Sequence, residues 1–135
     1  MKFTKVKALS LYLELKNDID EYIKQIIAQG FNEIDRGSYK SIYSKNKLSY
    51  VIKIAHSLND EFAKLPSKLK NFYIKPYYID ERIVIQQKAD TTNSKQAQQD
   101  ISDLIGQDSC CDYDIWEGNC GYLNREPVIF DFAEV

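Results

Sequence analysis

The sequence is poor in the residues and runs that mark specialised classes of protein. It has three cysteines and one histidine in 135 residues, a poor basis for a disulfide framework or a zinc site, so we expect reduced, structural thiols. No apolar run reaches the length of a membrane span, and the N-terminal residues lack the apolar segment and small-residue cleavage site of a signal peptide. Repeats and low-complexity tracts are absent. We therefore expect a cytoplasmic protein without a membrane partner.

Positively and negatively charged residues are nearly equal in number. Lysine and arginine together number 18, aspartate and glutamate 20, and the formal net charge is -2. The chain therefore has no basic field, and we expect no nucleic-acid partner. A length of 135 residues and a hydrophobic content of 44% predict one globular domain with a single core. The chain also has ten tyrosines, and in strands their commoner use is packing in the core. Because tyrosine is enriched at interfaces, some of these side chains could instead bind a protein partner.

The most specific pattern lies near the end of the sequence. Asp114 stands five positions before Asn119, and an apolar run then leads into Asp131 and Phe132. This order resembles the catalytic and metal-binding loops of the protein-kinase-like phosphotransferases, D-x-x-x-x-N and D-F. The resemblance implies that Asp114 accepts the proton of an acceptor hydroxyl, while Asn119 and Asp131 hold Mg²⁺ against the phosphates of ATP. The alternative is an ordinary solvated acidic loop.

A second segment resembles the strand that carries the phosphate-binding lysine of the same family. Lys53 interrupts the apolar, β-branched run Val51-Ile52-Lys53-Ile54. The resemblance implies that Lys53 binds the α and β phosphates of the nucleotide. Without the downstream motif, the same pattern would suit an exposed lysine on an edge strand.

The segment before this strand aligns with the kinase glycine-rich loop, I-G-x-G-S-F-G-x-V-Y, as I-D-R-G-S-Y-K-S-I-Y. Only the middle glycine, Gly37, is kept, because Asp35 and Lys40 stand where the family has its first and third glycines. Glycine lets backbone N–H groups approach phosphate closely, so these replacements weaken the expected phosphate contact. The resemblance still implies that Gly37, Ser38 and Ile42 lie against the nucleotide, with Ile42 covering the base.

Two further elements of the family have weaker counterparts. Two extended runs around residues 79–82 predict a hairpin, and the second run leads to a segment, Gln87 to Ala89, whose backbone would hydrogen-bond the adenine edge. The alternative is an ordinary strand that ends in a loop. Glu61, on a predicted short helix, is the counterpart of the glutamate that pairs with the lysine. The alternative there is a solvated helix-face glutamate.

Helices are predicted at both sides of this region. Asp18 with Glu21 resembles a capping box that begins a helix, and Gly30 is expected to end it. Residues 6–15 suit a strand or a helix equally, because their apolar positions fit both periods. Residues 96–105 predict a helix that would pack beneath the catalytic loop.

These observations predict an α+β fold: a kinase-like N-terminal lobe with an antiparallel sheet and helices, and a much reduced C-terminal lobe with the catalytic and metal-binding loops. We expect one compact domain, with a helical extension at 1–30, the sheet lobe at 31–90 and the reduced lobe at 91–135. Because the sequence ends four residues after Asp131, we expect no lobe for binding a protein substrate.

Two functions follow from the resemblance. The first is a minimal phosphotransferase that uses ATP and Mg²⁺ to phosphorylate an unknown acceptor. The second is a pseudokinase-like binding module that regulates or inhibits a partner protein; its small size and form would suit a viral or mobile-element product acting on a host factor. A third possibility is an unrelated α+β protein in which the motif is a coincidence.

Overall fold

The computed structural model describes residues 3–36, 40–57, 72–105 and 120–130. These residues form an α+β fold. Its elements, in chain order, are α1 (Lys5–Glu14), α2 (Ile19–Ala28), β1 (Asn32–Arg36), β2 (Lys40–Ser44), β3 (Tyr50–Ala55), β4 (Tyr78–Ile79), β5 (Ile83–Gln87), α3 (Ser94–Ile105), β6 (Cys120–Leu123) and β7 (Glu126–Ile129). No helix in the described ranges is both long enough and apolar enough to cross a membrane.

Helix α2 begins and ends as the sequence predicts. The Asp18 side chain accepts a hydrogen bond from the Glu21 backbone N–H at its start. At its end Gly30 has a φ of 101°, its N–H bonds to Ile27 O, and the Phe31 N–H bonds to Ile26 O. This pair of bonds is the Schellman motif, in which a left-handed glycine satisfies the last helix carbonyls.

The ambiguous segment before it is a helix, α1. The Thr4 hydroxyl accepts from the Lys7 N–H and so caps the first turn. Ala8 and Tyr12, four residues apart on one face, are buried. Tyr12 packs edge-to-face on Tyr22 of α2, with ring centroids 5.7 Å apart. The burial of this face selects the helix over the strand, which the sequence alone does not do.

Five strands form one antiparallel sheet in the order β1-β2-β3-β5-β4. Alternate residues of a strand point to opposite faces, so each central strand divides its side chains between two environments. One face packs against α1 and α2 and forms the main core. Its strand residues are Tyr43, Tyr50, Ile52, Ile54, Ile83 and Ile85. The opposite face carries Val51, Lys53 and Ala55 of β3.

The predicted hairpin at residues 79–82 is confirmed by β4 and β5. Asp80 organises its turn, because one carboxylate oxygen accepts the N–H groups of Arg82 and Ile83 at 2.8 and 2.9 Å. The other oxygen accepts the hydroxyls of Tyr12 and Tyr78 at 2.8 and 3.0 Å. The turn is therefore fastened to helix α1 as well as to its own strands.

A smaller unit follows the sheet and consists of α3 with the β6–β7 hairpin. The predicted helix at 96–105 is confirmed and begins two residues earlier, at Ser94. Its buried Ala97 and Ile101 pack with Cys120, Ile129 and Tyr73 in a second core. The hairpin turns at Asn124 and Arg125, whose φ angles of 52° and 71° are those of the two-residue turn that suits the twist of a hairpin.

Two backbone junctions fix this unit against the five-stranded sheet. Asp90 and Tyr122 exchange N–H···O bonds of 2.8 and 2.9 Å. On the other strand, the Ile129 N–H bonds to Phe72 O at 2.7 Å, and the Ile74 N–H bonds to Ile129 O at 3.1 Å. The end of β7, and with it Phe130, is thereby held beside the sheet.

Candidate functional site

Lys53 lies in the middle of the sheet and not at its edge. Its strand, β3, pairs with β2 on one side and with β5 on the other. The side chain is 3% exposed, and it lies on the face opposite the main core. The edge-strand alternative for this lysine is therefore wrong, because a lysine on an edge strand would keep its ammonium in water.

The ammonium of Lys53 contacts the β7 end. Its Nζ donates a hydrogen bond to the backbone oxygen of Phe130. The Gln86 side-chain Nε2, on β5, donates to the same oxygen at 2.9 Å, and Gln86 is 2% exposed. Two buried donors from neighbouring strands thus converge on one carbonyl, and the next residue in the sequence is Asp131.

A cavity of about 150 Å³ opens beside this cluster. Its apolar wall is formed by Ile34, Ile42, Val51, Ala89 and Phe130. Its polar lining comes from Lys53, Gln86, Gln87, Lys88 and Thr91. An apolar cavity of about this size is large enough to admit one aromatic ring.

The cavity has an exposed side, which we call its mouth, and a buried side, which we call its inner end. Ile34 is 56% exposed and lies at a register shift of β1, between Glu33 and Asp35, where a bulge re-aims a side chain. Lys53 and Gln86, by contrast, are buried. A ligand entering here would cover apolar surface at the mouth and meet an ammonium at the inner end.

The segment predicted to contact an adenine edge lines this cavity. Gln87 is the last residue of β5, and Lys88 and Ala89 follow it. The Lys88 N–H is bonded to Ser49 O at 2.8 Å, so this amide is committed to the sheet. Any backbone contact with a ligand would fall to the residues on either side, Gln87 and Ala89, as the sequence pattern suggests.

Four of the predicted site residues therefore share one cavity: Lys53, Ile42, Gln87 and Ala89. The strands on both sides of the predicted glycine-rich loop pair as a hairpin. The other predicted site residues lie outside the described part of the chain; they are Gly37, Ser38, Glu61, Asp114, Asn119 and Asp131.

No group of three or more His, Cys, Asp or Glu side chains that could hold a metal ion occurs among the residues that the structure describes. The predicted magnesium ligands Asn119 and Asp131 lie outside them. Cys120 is a buried free thiol, and burial raises its pKa to about 12. It is therefore protonated at neutral pH and a poor nucleophile there.

Sequence reasoning missed five residues of the cavity: Ile34, Val51, Gln86, Thr91 and Phe130. Val51 was available from the pattern, because it lies two residues before Lys53 and so shares its face. Gln86 was also available from the pattern, because it is a polar residue near the end of an apolar strand. Phe130 had no local signal, since its place depends on pairings with residues far away in the sequence.

A larger, open hollow of about 860 Å³ lies along the start of α3. Its lining is polar and consists of residues between Thr91 and Gln99. No apolar side chain lines this hollow. The buried ammonium of Lys53 lies instead at the smaller cavity. Ligand sites combine an apolar lining with a few convergent polar groups, so the smaller cavity is the candidate site.

Comparison of this chain with known protein families, with curated proteins and with solved structures found no match.

Proposed function

We propose that this chain is a minimal kinase-like phosphotransferase that binds ATP with Mg²⁺ and phosphorylates an acceptor hydroxyl. One observation carries the proposal. The Lys53 ammonium, on the third strand, contacts the backbone of Phe130, the residue directly before Asp131. The sequence motifs predict that this lysine and this aspartate serve one nucleotide, and kinases carry the corresponding lysine on their third strand.

The cavity supports a nucleotide as the ligand. Its apolar wall suits a flat aromatic base, which would cover the exposed side chain of Ile34. The backbone at Gln87 and Ala89 borders the same space and would offer hydrogen bonds to the edge of the base. The inner end holds the ammonium of Lys53, which favours an anionic group such as phosphate.

The sequence motifs predict the roles of the remaining residues. Asn119 and Asp131 would hold Mg²⁺, which neutralises charge on the phosphates. An acceptor hydroxyl would attack the γ-phosphorus, the bond to the β–γ bridging oxygen would break, and ADP would leave. Asp114 would take the hydroxyl proton.

The second candidate is a binding module of pseudokinase type, which recognises a partner protein without transferring phosphate. It is favoured by Asp35 and Lys40, which replace two glycines of the phosphate loop. Lys40 is also buried, at 3% exposed, so its ammonium does not extend freely into water toward a ligand. These features weaken phosphate binding without removing the cavity.

Thermal unfolding with and without ATP and Mg²⁺ separates the two candidates. A ligand that binds only the native state stabilises it by about 2.7 kcal/mol at 100 times its Kd. We expect ATP with Mg²⁺ to raise the Tm of the wild type by several degrees, and Lys53→Met and Asp131→Asn to remove the rise. Lys24→Met, which removes an exposed lysine of α2, is the matched control and should keep it.

No rise for the wild type at millimolar nucleotide would rule out the phosphotransferase and leave the binding module. Where a rise is present, γ-labelled ATP incubated with a cell extract tests transfer. A labelled product that is formed by the wild type and lost in Asp114→Asn is required for the enzyme.

A further inference from the structure

The backbone oxygen of Phe130 receives two hydrogen bonds, from Lys53 Nζ and from Gln86 Nε2. The two donors differ in charge: one is an ammonium and the other a neutral amide. They stand on adjacent strands, because Lys53 pairs with Val84 and Val51 pairs with Gln86 in the β3–β5 ladder. Both side chains are at most 3% exposed.

The ammonium has a stronger partner available once an anion enters the cavity. A phosphate oxygen offers the ammonium a full opposite charge, whereas a carbonyl oxygen offers only the negative end of a dipole. A neutral carbonyl therefore competes poorly with phosphate for Lys53. If the ammonium turned toward the anion and no other donor were present, the Phe130 carbonyl would lose its partner at a part-buried site, which is costly.

We propose that Gln86 is a positioning residue that keeps the Phe130 carbonyl hydrogen-bonded while Lys53 engages the anionic part of the ligand. The amide donates a hydrogen bond but carries no positive charge, so it does not compete with Lys53 for the anion. The end of β7 then stays in place in both the free and the bound state. This inference rests on the proposed nucleotide site, since it assigns a role within that site.

The effect should depend on the charge of the ligand. Adenosine would place its base against the apolar wall of the cavity but has no phosphate, so it leaves Lys53 on the carbonyl and does not need Gln86. ATP with Mg²⁺ draws the ammonium away and does need it. We therefore expect Gln86→Met, which has nearly the same length but no donor, to weaken ATP binding about tenfold, the value of roughly one hydrogen bond. Adenosine binding should change less than about twofold.

The experiment measures the Kd of both ligands by calorimetry for the wild type, for Gln86→Met and for a control. Gln25→Met is the matched control, because it makes the same chemical change at an exposed position of α2, away from the cavity. The control should bind both ligands as the wild type does. Adenosine binding by Gln86→Met also shows that its cavity has folded.

Equal loss of both ligands, or loss of neither, would overturn the role of Gln86 and leave the proposed nucleotide site intact. Absence of ATP binding by the wild type would instead overturn the proposed function, and this inference with it. If Gln86→Met does not fold, nuclear magnetic resonance of the unmodified chain decides. The Gln86 side-chain amide protons should stay protected from exchange when ATP is bound, and rapid exchange in that state would overturn the inference.

Discussion

The phenol hydroxyl of Tyr12 donates a hydrogen bond of 2.8 Å to the carboxylate of Asp80, 68 positions later in the chain. Tyr12 is 1% exposed, so its hydroxyl depends on this acceptor. The pair joins the first helix to the turn between β4 and β5. Because β5 carries Gln86 and leads to Gln87 and Ala89, this contact also helps to place one side of the cavity.

Removal of the Asp80 carboxylate should destabilise the whole sheet. Asp80→Ala deletes the acceptor of four hydrogen bonds and leaves the buried hydroxyl of Tyr12 without a partner. We expect the free energy of unfolding to fall by about 2–4 kcal/mol, measured by urea denaturation. Glu81→Ala, at the exposed neighbouring position, is the control and should stay within about 0.5 kcal/mol of the wild type. Equal values for the two variants would show that the turn does not need the carboxylate.

Acid should remove part of the same stabilisation. Burial raises the pKa of Asp80, but the backbone N–H groups of Arg82 and Ile83 and the two phenols outweigh it, so the pKa is lowered overall. A lowered folded-state pKa stabilises the fold above the unfolded value, near 3.9, and this contribution is lost as the pH falls through the folded value. We expect the stability difference between wild type and Asp80→Asn to be constant from pH 7 to 5 and to shrink below about pH 4. A difference that grows in acid would contradict the assignment.

The junction between the two sheets should be sensitive to one methyl group. A Cβ added to Gly121 would lie 2.6 Å from the backbone oxygen of Asp90, and neither backbone can yield without breaking the Asp90–Tyr122 pair. We expect Gly121→Ala to cost about 1–3 kcal/mol and to speed hydrogen exchange of the Asp90 and Tyr122 amides. Unchanged exchange at these two amides would mean that the junction relaxes freely.

The exposed apolar side chain at the cavity mouth should matter for binding more than for folding. Ile34→Ser removes surface that a bound base would cover, so we expect adenosine affinity to fall about fivefold, equivalent to roughly 1 kcal/mol. The Tm should change little, since Ile34 is largely solvated. Ile27→Ser is the matched control, because Ile27 on α2 is 51% exposed and lies away from the cavity. Equal effects of the two variants on adenosine binding would remove Ile34 from the site.

The thiol of Cys120 should be unreactive in the folded protein. Burial raises its pKa to about 12, and the thiolate is the species that reacts with thiol reagents. In a Cys110→Ser/Cys111→Ser double variant, we expect modification of Cys120 to proceed at the rate of unfolding and to accelerate in urea. Rapid modification in native buffer would show that the second core opens readily.

Local chemistry in the sequence was enough to predict several elements. The cap at Asp18, the stop at Gly30 and the turn at Asp80 each involve side chains or backbone angles within a few residues of one another. The lysine strand was predictable because Lys53 breaks an apolar run of β-branched residues. In each case the signal and the structure that it specifies lie in the same short segment.

Other features depended on contacts that no local pattern encodes. Helix α1 could not be separated from a strand, because only the burial of Ala8 and Tyr12 against α2 and the sheet selects the helix. The meeting of Lys53 with Phe130 arises from two backbone junctions between distant segments. The hydrogen bond from Gln86 to the Phe130 carbonyl depends on the same junctions, because they place its acceptor.

Ribosomes make proteins from the N-terminus, and early segments can begin to fold during synthesis. All five strands of the larger sheet are complete at residue 87, well before Phe130 is added. Until then the lysine face of the sheet, with Ile42 and Val51, lacks Phe130, which lines the cavity with them. A nascent chain paused between these points would lack one wall of the cavity, and the cavity would be completed only after residue 130 has left the ribosome.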